Sequence, residues 1–198
     1  MSNRTIARLY DSYATAAQAV RELEAAGISH DHISLIANNA DGRLLTDNAE
    51  GSEAAPGAEI GAGVGALAGG GTGVLAGLGL LAIPGIGPVV AAGWLAALAV
   101  GAVGGGVAGG LLGGLVGSGI GKEHAETYAE GVRRGGALVS VRATADQVAG
   151  VDAILQRNAV DPDLRRADYD SEGWSAYDED RVGLTEADID RRHAGNAS

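Results

Sequence analysis

The chain has 198 residues, with 14 Lys and Arg against 25 Asp and Glu and a net charge of −11, a sign that argues against general binding to nucleic acid or to an anionic membrane surface, since either needs a basic face. The absence of Cys excludes disulfide frameworks, Cys-ligated zinc and thiol chemistry. Aromatics make up 4% with no Phe, which argues against a base-stacking platform, and the 34 Gly follow no Gly-X-Y period, which excludes collagen.

The opening Met1-Ser2-Asn3-Arg4-Thr5-Ile6 does not read as a secretory leader. Residues 1–39 read as a first βαβ half. Thr5–Tyr10 is β-like, and Asp11 or Ser12 can cap a helix whose stripe is Ala16, Val20 and Leu23, continued by Ile28. Gly27 stops that helix, and Ile33–Ala37 is a second strand. Residues 40–59 are a polar, acidic linker with Gly, Ser and Pro56.

From Ile60 to Gly121 there are 62 residues without one charged side chain, holding 23 of the 34 Gly. Small residues recur every fourth position in two registers: Gly57, Gly61, Gly65, Gly69, Gly73 and Gly77, then Gly93, Ala97, Gly101, Gly105, Gly109, Gly113, Gly117 and Gly121. Between them Pro84-Gly85-Ile86-Gly87-Pro88 has turn composition. This pattern predicts a glycine-zipper helical hairpin with arms over 60–82 and 89–121. Spacing of four puts the small residues on one helical face, where another helix can approach closely. A second line on the later arm, Gly106, Gly110, Gly114 and Ser118, faces another side. One hairpin cannot satisfy both lines, so self-association is expected, with Gly61, Gly65, Gly69, Gly73, Gly77, Gly93, Gly101, Gly105, Gly109, Gly113 and Gly117 as the oligomer interface. The nine Gly of the first arm would cost a solvated helix about 9 kcal/mol relative to Ala, so lipid or sibling copies must enclose it. A flexible linker is disfavoured because Ser occurs in this run only at Ser118.

Residues 122–169 read as a helix, Lys122–Arg134 ended by Gly135-Gly136, followed by the second βαβ half. Ala137–Ala143 alternates as a strand, and Asp146 can cap a helix with the stripe Val148, Val151, Ile154 and Leu155. Asp163–Tyr169 is a weaker strand. Residues 170–198 are an acidic tail, expected to be flexible. The whole predicts an α+β, ferredoxin-like doubled βαβ domain with helices on one face and the glycine-zipper hairpin inserted between its second and third strands.

Other motifs carry less. Gly61-Ala62-Gly63-Val64-Gly65-Ala66 matches a dinucleotide fingerprint, as do Gly77, Gly79 and Ala82, but no strand precedes the first, and Gly-rich sequence matches by chance. No Gly-Lys-Ser/Thr completes a P-loop. His30-Asp31-His32 could offer metal ligands but reads better as a polar loop, and His124 and His193 are isolated. The tail carboxylates Asp178, Glu179, Asp180, Glu186, Asp188 and Asp190 lack an apolar frame, and Thr185-Glu186-Ala187-Asp188 is a short capping box. The expectation is no enzyme, with no catalytic, cofactor or metal residues.

The stretch Tyr128-Ala129-Glu130-Gly131-Val132-Arg133-Arg134-Gly135-Gly136-Ala137-Leu138-Val139-Ser140-Val141 resembles the bacterial general stress protein (heat-induced stress protein, YflT-like) domain family, and Ile6 to Ile36 is similar to that family's opening βαβ. Members often carry a Pro before the acidic helix, where this chain has Gly121. The resemblance implies a stress-associated, non-enzymatic protein with a glycine-zipper segment often taken for transmembrane, and it supplies no ligand residues. Together these readings predict a self-assembling structural protein anchored in the lipid bilayer of the cytoplasmic membrane, both termini in the cytoplasm because Arg43, Lys122, Arg133 and Arg134 flank the domain side. The alternatives are a soluble, cytoplasmic homo-oligomeric shell or ring with the hairpins inside, or a small-ligand regulatory module.

Overall fold

The computed structural model describes residues 4–39, 79–83, 86–101 and 110–178. The strands are β1 (Arg4–Tyr10), β2 (Ile33–Asn38), β3 (Gly79–Ile83), β4 (Gly87–Gly93) and β5 (Ala137–Ala143). The helices are α1 (Tyr13–Ala25), α2 (Trp94–Gly101), α3 (Gly110–Gly117), α4 (Lys122–Arg133), α5 (Val148–Leu155) and α6 (Pro162–Ser171), with one 3-10 turn at His30–His32. The class is α+β, built on one five-stranded antiparallel sheet in the order β1-β5-β2-β4-β3.

Local chemistry explains the first half. Ser12 caps α1, its Oγ accepting from the Thr15 amide at 3.3 Å. Gly27, at φ +85°, ends the chain's run beyond the helix, and the Ile28 amide reaches back to the Leu23 carbonyl at 3.0 Å. Alternation then works on both sides of the sheet. Leu9, Leu138, Ile36 and Ala91 stand opposite one another across β1, β5, β2 and β4 and face one apolar cluster. Tyr10, Leu35, Val139, Val141 and Val90 face the other.

Helices therefore cover both faces, not one as expected. On one side lie α1 and α5, through Val20, Leu23, Val151 and Leu155. On the other lie α2, α3 and α4, through Leu95, Leu111, Leu115, Tyr128 and Val132, joined by Tyr169, Trp174 and Tyr177. The reason is in the strands: every residue of β2 is buried, and a sheet apolar on both faces must be covered on both.

Three further expectations are corrected. The helical arms over 60–82 and 89–121 are not helical where they meet at the turn: Gly79–Ile83 and Gly87–Gly93 pair as a hairpin, Ile83 opposite Gly87, and β4 extends the sheet beside β2. Ile83, Val89 and Val90 are thereby buried, each contributing about 1.5–3 kcal/mol. That exceeds the span of about 1 kcal/mol among residues in β-propensity, so packing outweighs local preference here. Pro88 lies beyond the last β2–β4 pair, Asn38 with Val89, so its missing N–H interrupts no bond of that ladder. Second, Asp163–Tyr169 is not a strand. Among the described residues one isolated bridge, Leu9 with Val160, lies on the edge of β1. Asp161 then caps α6 by accepting from the Asp163 and Leu164 amides at 2.9 and 3.2 Å, with Pro162 in the first turn. Third, Asp146 does not cap α5; its N-cap is Gln147, with no side-chain cap bond.

Next to that bridge, side chains occupy a second backbone group of the β1 edge. The Ala7 carbonyl accepts from Arg8 Nη1 at 2.9 Å and from the Tyr128 hydroxyl at 3.2 Å. These contacts occupy backbone groups that would otherwise invite a foreign strand.

Candidate interaction surface

The layer formed by α2 and α3 contains no charged residue. Leu95, Ala96, Gly110, Leu111, Gly114 and Leu115 turn inward and are buried. Leu98 and Val116 turn outward, 42% and 43% exposed, with Ala97 and Gly117 exposed beside them and Leu112 and Gly113 half-buried. Both helices are apolar throughout, so neither carries a polar face of its own.

The predicted interface residues thus separate. Gly93 is not part of a helical stripe: it closes β4 at φ +89°, and a Cβ there would lie 2.2 Å from the Ile33 carbonyl oxygen. Gly101 lies on α2, Gly113 and Gly117 lie on α3, and a Cβ on Gly117 would meet nothing within 4 Å. Gly110 and Gly114, from the second line, face the sheet side; a Cβ on Gly110 would lie 3.6 Å from Ile83 Cγ2. Gly61, Gly65, Gly69, Gly73, Gly77, Gly105 and Gly109 lie outside the described residues, as does the fingerprint-like Gly61–Ala66. Among the described residues, one line of small residues on α3 is used inside the chain and the other is left facing out.

The other candidates are dispersed. His30 Nε2 lies 3.1 Å from Asp31 Oδ1, both side chains well exposed, and the His32 carbonyl accepts from Trp94 Nε1 at 3.2 Å. Arg142 lies over the Trp94 ring at 3.8 Å. Among the described residues no group of three His, Asp or Glu could hold a metal ion. A hollow of about 10 Å³ lies between α1 and α5, lined by Thr15, Glu22, Ile154 and Arg157 among others, room for about one water.

One charged centre was missed in the sequence. Glu130 is buried and accepts from Arg133 at 2.7 and 2.5 Å and from Arg134 Nε at 2.5 Å. Arg134 also pairs with Glu172 and lies over the Tyr169 ring at 3.9 Å. Burial pulls Arg134 down, but Glu130 and Glu172 more than offset it, and its pKa is raised. The spacing Glu130-x-x-Arg133-Arg134 was the available signal, because residues three and four apart share a helix face.

No family model, curated protein or solved structure matches this chain. Among the described residues no helix is long and apolar enough to cross a membrane.

Proposed function

We propose that the protein is a non-enzymatic, stress-associated structural protein that self-associates, its copies meeting through the outward side of the α2–α3 layer. The observation that carries this reading is the exposure of Leu98 and Val116 on a layer without charge, in a chain whose net charge of −11 elsewhere keeps surfaces solvated. Gly113 and Gly117 would let two such layers approach closely. The domain itself is best described as ferredoxin-like in its β1-α1-β2 and β5 portion, with β5 between β1 and β2, enlarged by the β3–β4 hairpin and with α6 in place of a fourth strand. The general stress protein resemblance supports the stress association.

Size measurement of the full chain by light scattering tests the reading. An oligomer that Leu98→Glu with Val116→Glu disperses, without loss of helix content, is the expected result. An unchanged particle removes α2–α3 as the interface. Carbonate-resistant pelleting that survives the double variant would instead support anchoring in the cytoplasmic membrane.

A further inference from the structure

The two outer strands of the sheet differ at their edges. Along β1 the Val160 amide donates to the Leu9 carbonyl at 2.8 Å, and the Tyr128 hydroxyl donates to the Ala7 carbonyl at 3.2 Å. β3 stands at the other end of the strand order, and among the described residues no strand pairs with its outer side. Its sequence, Gly-Leu-Leu-Ala-Ile, has no charge and no Pro, and its ladder with β4 has no bulge. These are the devices that keep an edge from meeting another strand.

The phase of the ladders shows which groups of β3 are free. Successive residues of a strand turn their N–H and C=O to opposite sides. The Asn38 amide donates to the Gly136 carbonyl at 3.3 Å, so Asn38 looks toward β5, and Ala37 and Leu35 look toward β4. Their partners Val90 and Ala92 therefore look toward β2, which leaves Val89 and Ala91 looking toward β3. Opposite these, Leu81 and Gly79 look back at β4. Leu80 and Ala82 are left with N–H and C=O directed outward.

We infer that this edge pairs antiparallel with β3 of a second copy, Leu80 opposite the partner's Ala82 and Leu81 on the twofold axis. In that register Leu80 and Ala82 each exchange both of their backbone hydrogen bonds with the partner, so every outward group of the pair is used. A slip of one residue would set outward groups against inward ones. A second copy fits for two reasons. The strand is its own complement in this register, as an isologous contact requires. The chain also carries a net charge of −11, so copies repel across most approaches, whereas β3 and β4 bring no like charges together. This contact is made by backbone groups and does not depend on the outward side of α2 and α3. With both contacts each copy joins two others, which builds particles larger than a dimer.

Particle size and hydrogen exchange on the full chain test the pairing. Leu98→Glu with Val116→Glu removes the α2–α3 contact, and the particle that remains should be a dimer. In it the Leu80 and Ala82 amides should exchange about tenfold or more slowly than after dilution to monomer. Ala82→Pro added to that background should give a monomer with unchanged circular dichroism, because proline there removes an outward N–H and no bond of the β3–β4 ladder. A monomer before Ala82→Pro is added, or a dimer that survives it, overturns the pairing. So do Leu80 and Ala82 amides equally slow at every concentration, since the chain would then cover its own edge. Where Ala82→Pro fails to fold, the concentration dependence of these two amides decides. An unsubstituted chain that is already this dimer removes the α2–α3 contact and leaves the β3 pairing standing.

Discussion

Gly93 sits opposite Ser34 in the β2–β4 ladder, so close that a methyl group at Gly93 would lie 2.8 Å from the Ser34 Cα and 2.2 Å from the Ile33 carbonyl oxygen. Its φ of +89° is what turns the chain from β4 into α2. This glycine serves a backbone turn, and its spacing with Gly101 is incidental to that role. Gly93→Ala should lower stability by about 3 kcal/mol or more. Gly117→Ala, in open space on a helix, should raise it by about 0.5–1 kcal/mol. Urea unfolding of the two variants checks the contrast; similar effects from both would contradict this division.

Glu130 is the carboxylate on which two arginines depend. Glu130→Gln leaves Arg133 buried without its counter-charge and should cost about 3–5 kcal/mol. Glu172→Gln, at the half-exposed end of the same network, should cost under about 1 kcal/mol. Denaturant midpoints measured side by side decide whether the buried partner dominates.

Three tyrosines make the fold sensitive to alkali. Burial, the largest cause in each, raises Tyr10, Tyr128 and Tyr169 above the usual phenol value, Tyr169 from 10.0 to about 12. Neighbouring Arg8 pulls Tyr10 and Tyr128 back, as Arg165 and Arg134 do Tyr169. Below pH 10 both folded and unfolded chains keep these protons, so stability does not depend on them. Between pH 10 and about 12 the unfolded chain ionises while Tyr169 in the folded chain does not, and stability falls with rising pH. The Tyr169 contribution to that fall is about 3 kcal/mol. Unfolding measured across this range should show a smaller fall in Tyr169→Phe; an identical pH profile would remove Tyr169 from the account.

Gly117→Leu separates packing from folding. Its side chain would project from α3 into open space, so thermal stability should hold. The larger residue should keep facing layers apart and weaken association about tenfold or more, read as a shift in the concentration at which the particle dissociates. A stable variant with unaltered dissociation would exclude Gly117 from the contact between copies.

Elements whose signals act over a few residues are legible in the sequence alone. β1, α1, β2, α4 and β5 follow from alternation, the Ser12 cap, the Gly27 stop and Gly135-Gly136, and they appear within a residue or two of expectation. The candidate surface is legible only in part. Freedom from charge is plain, but which of the two small-residue lines on α3 faces inward is not, since that depends on where Ile83 and the sheet lie.

Composition and local chemistry thus settled an α+β chain with a charge-free middle and the ends of its well-capped elements. Tertiary pairing decided the rest. An apolar run without polar positions has no face to mark its period, so Gly79–Ile83 and Gly87–Gly93 became strands because β2 had an edge left to pair. Asp161-Pro162 started a helix where a fourth strand was expected, and the end of α4 and the end of α6 met through charges far apart in sequence, Arg134 and Glu172 being separated by 38 positions. Burial on both faces of one sheet is a property of the assembled layers, and no single stretch of the chain carries it.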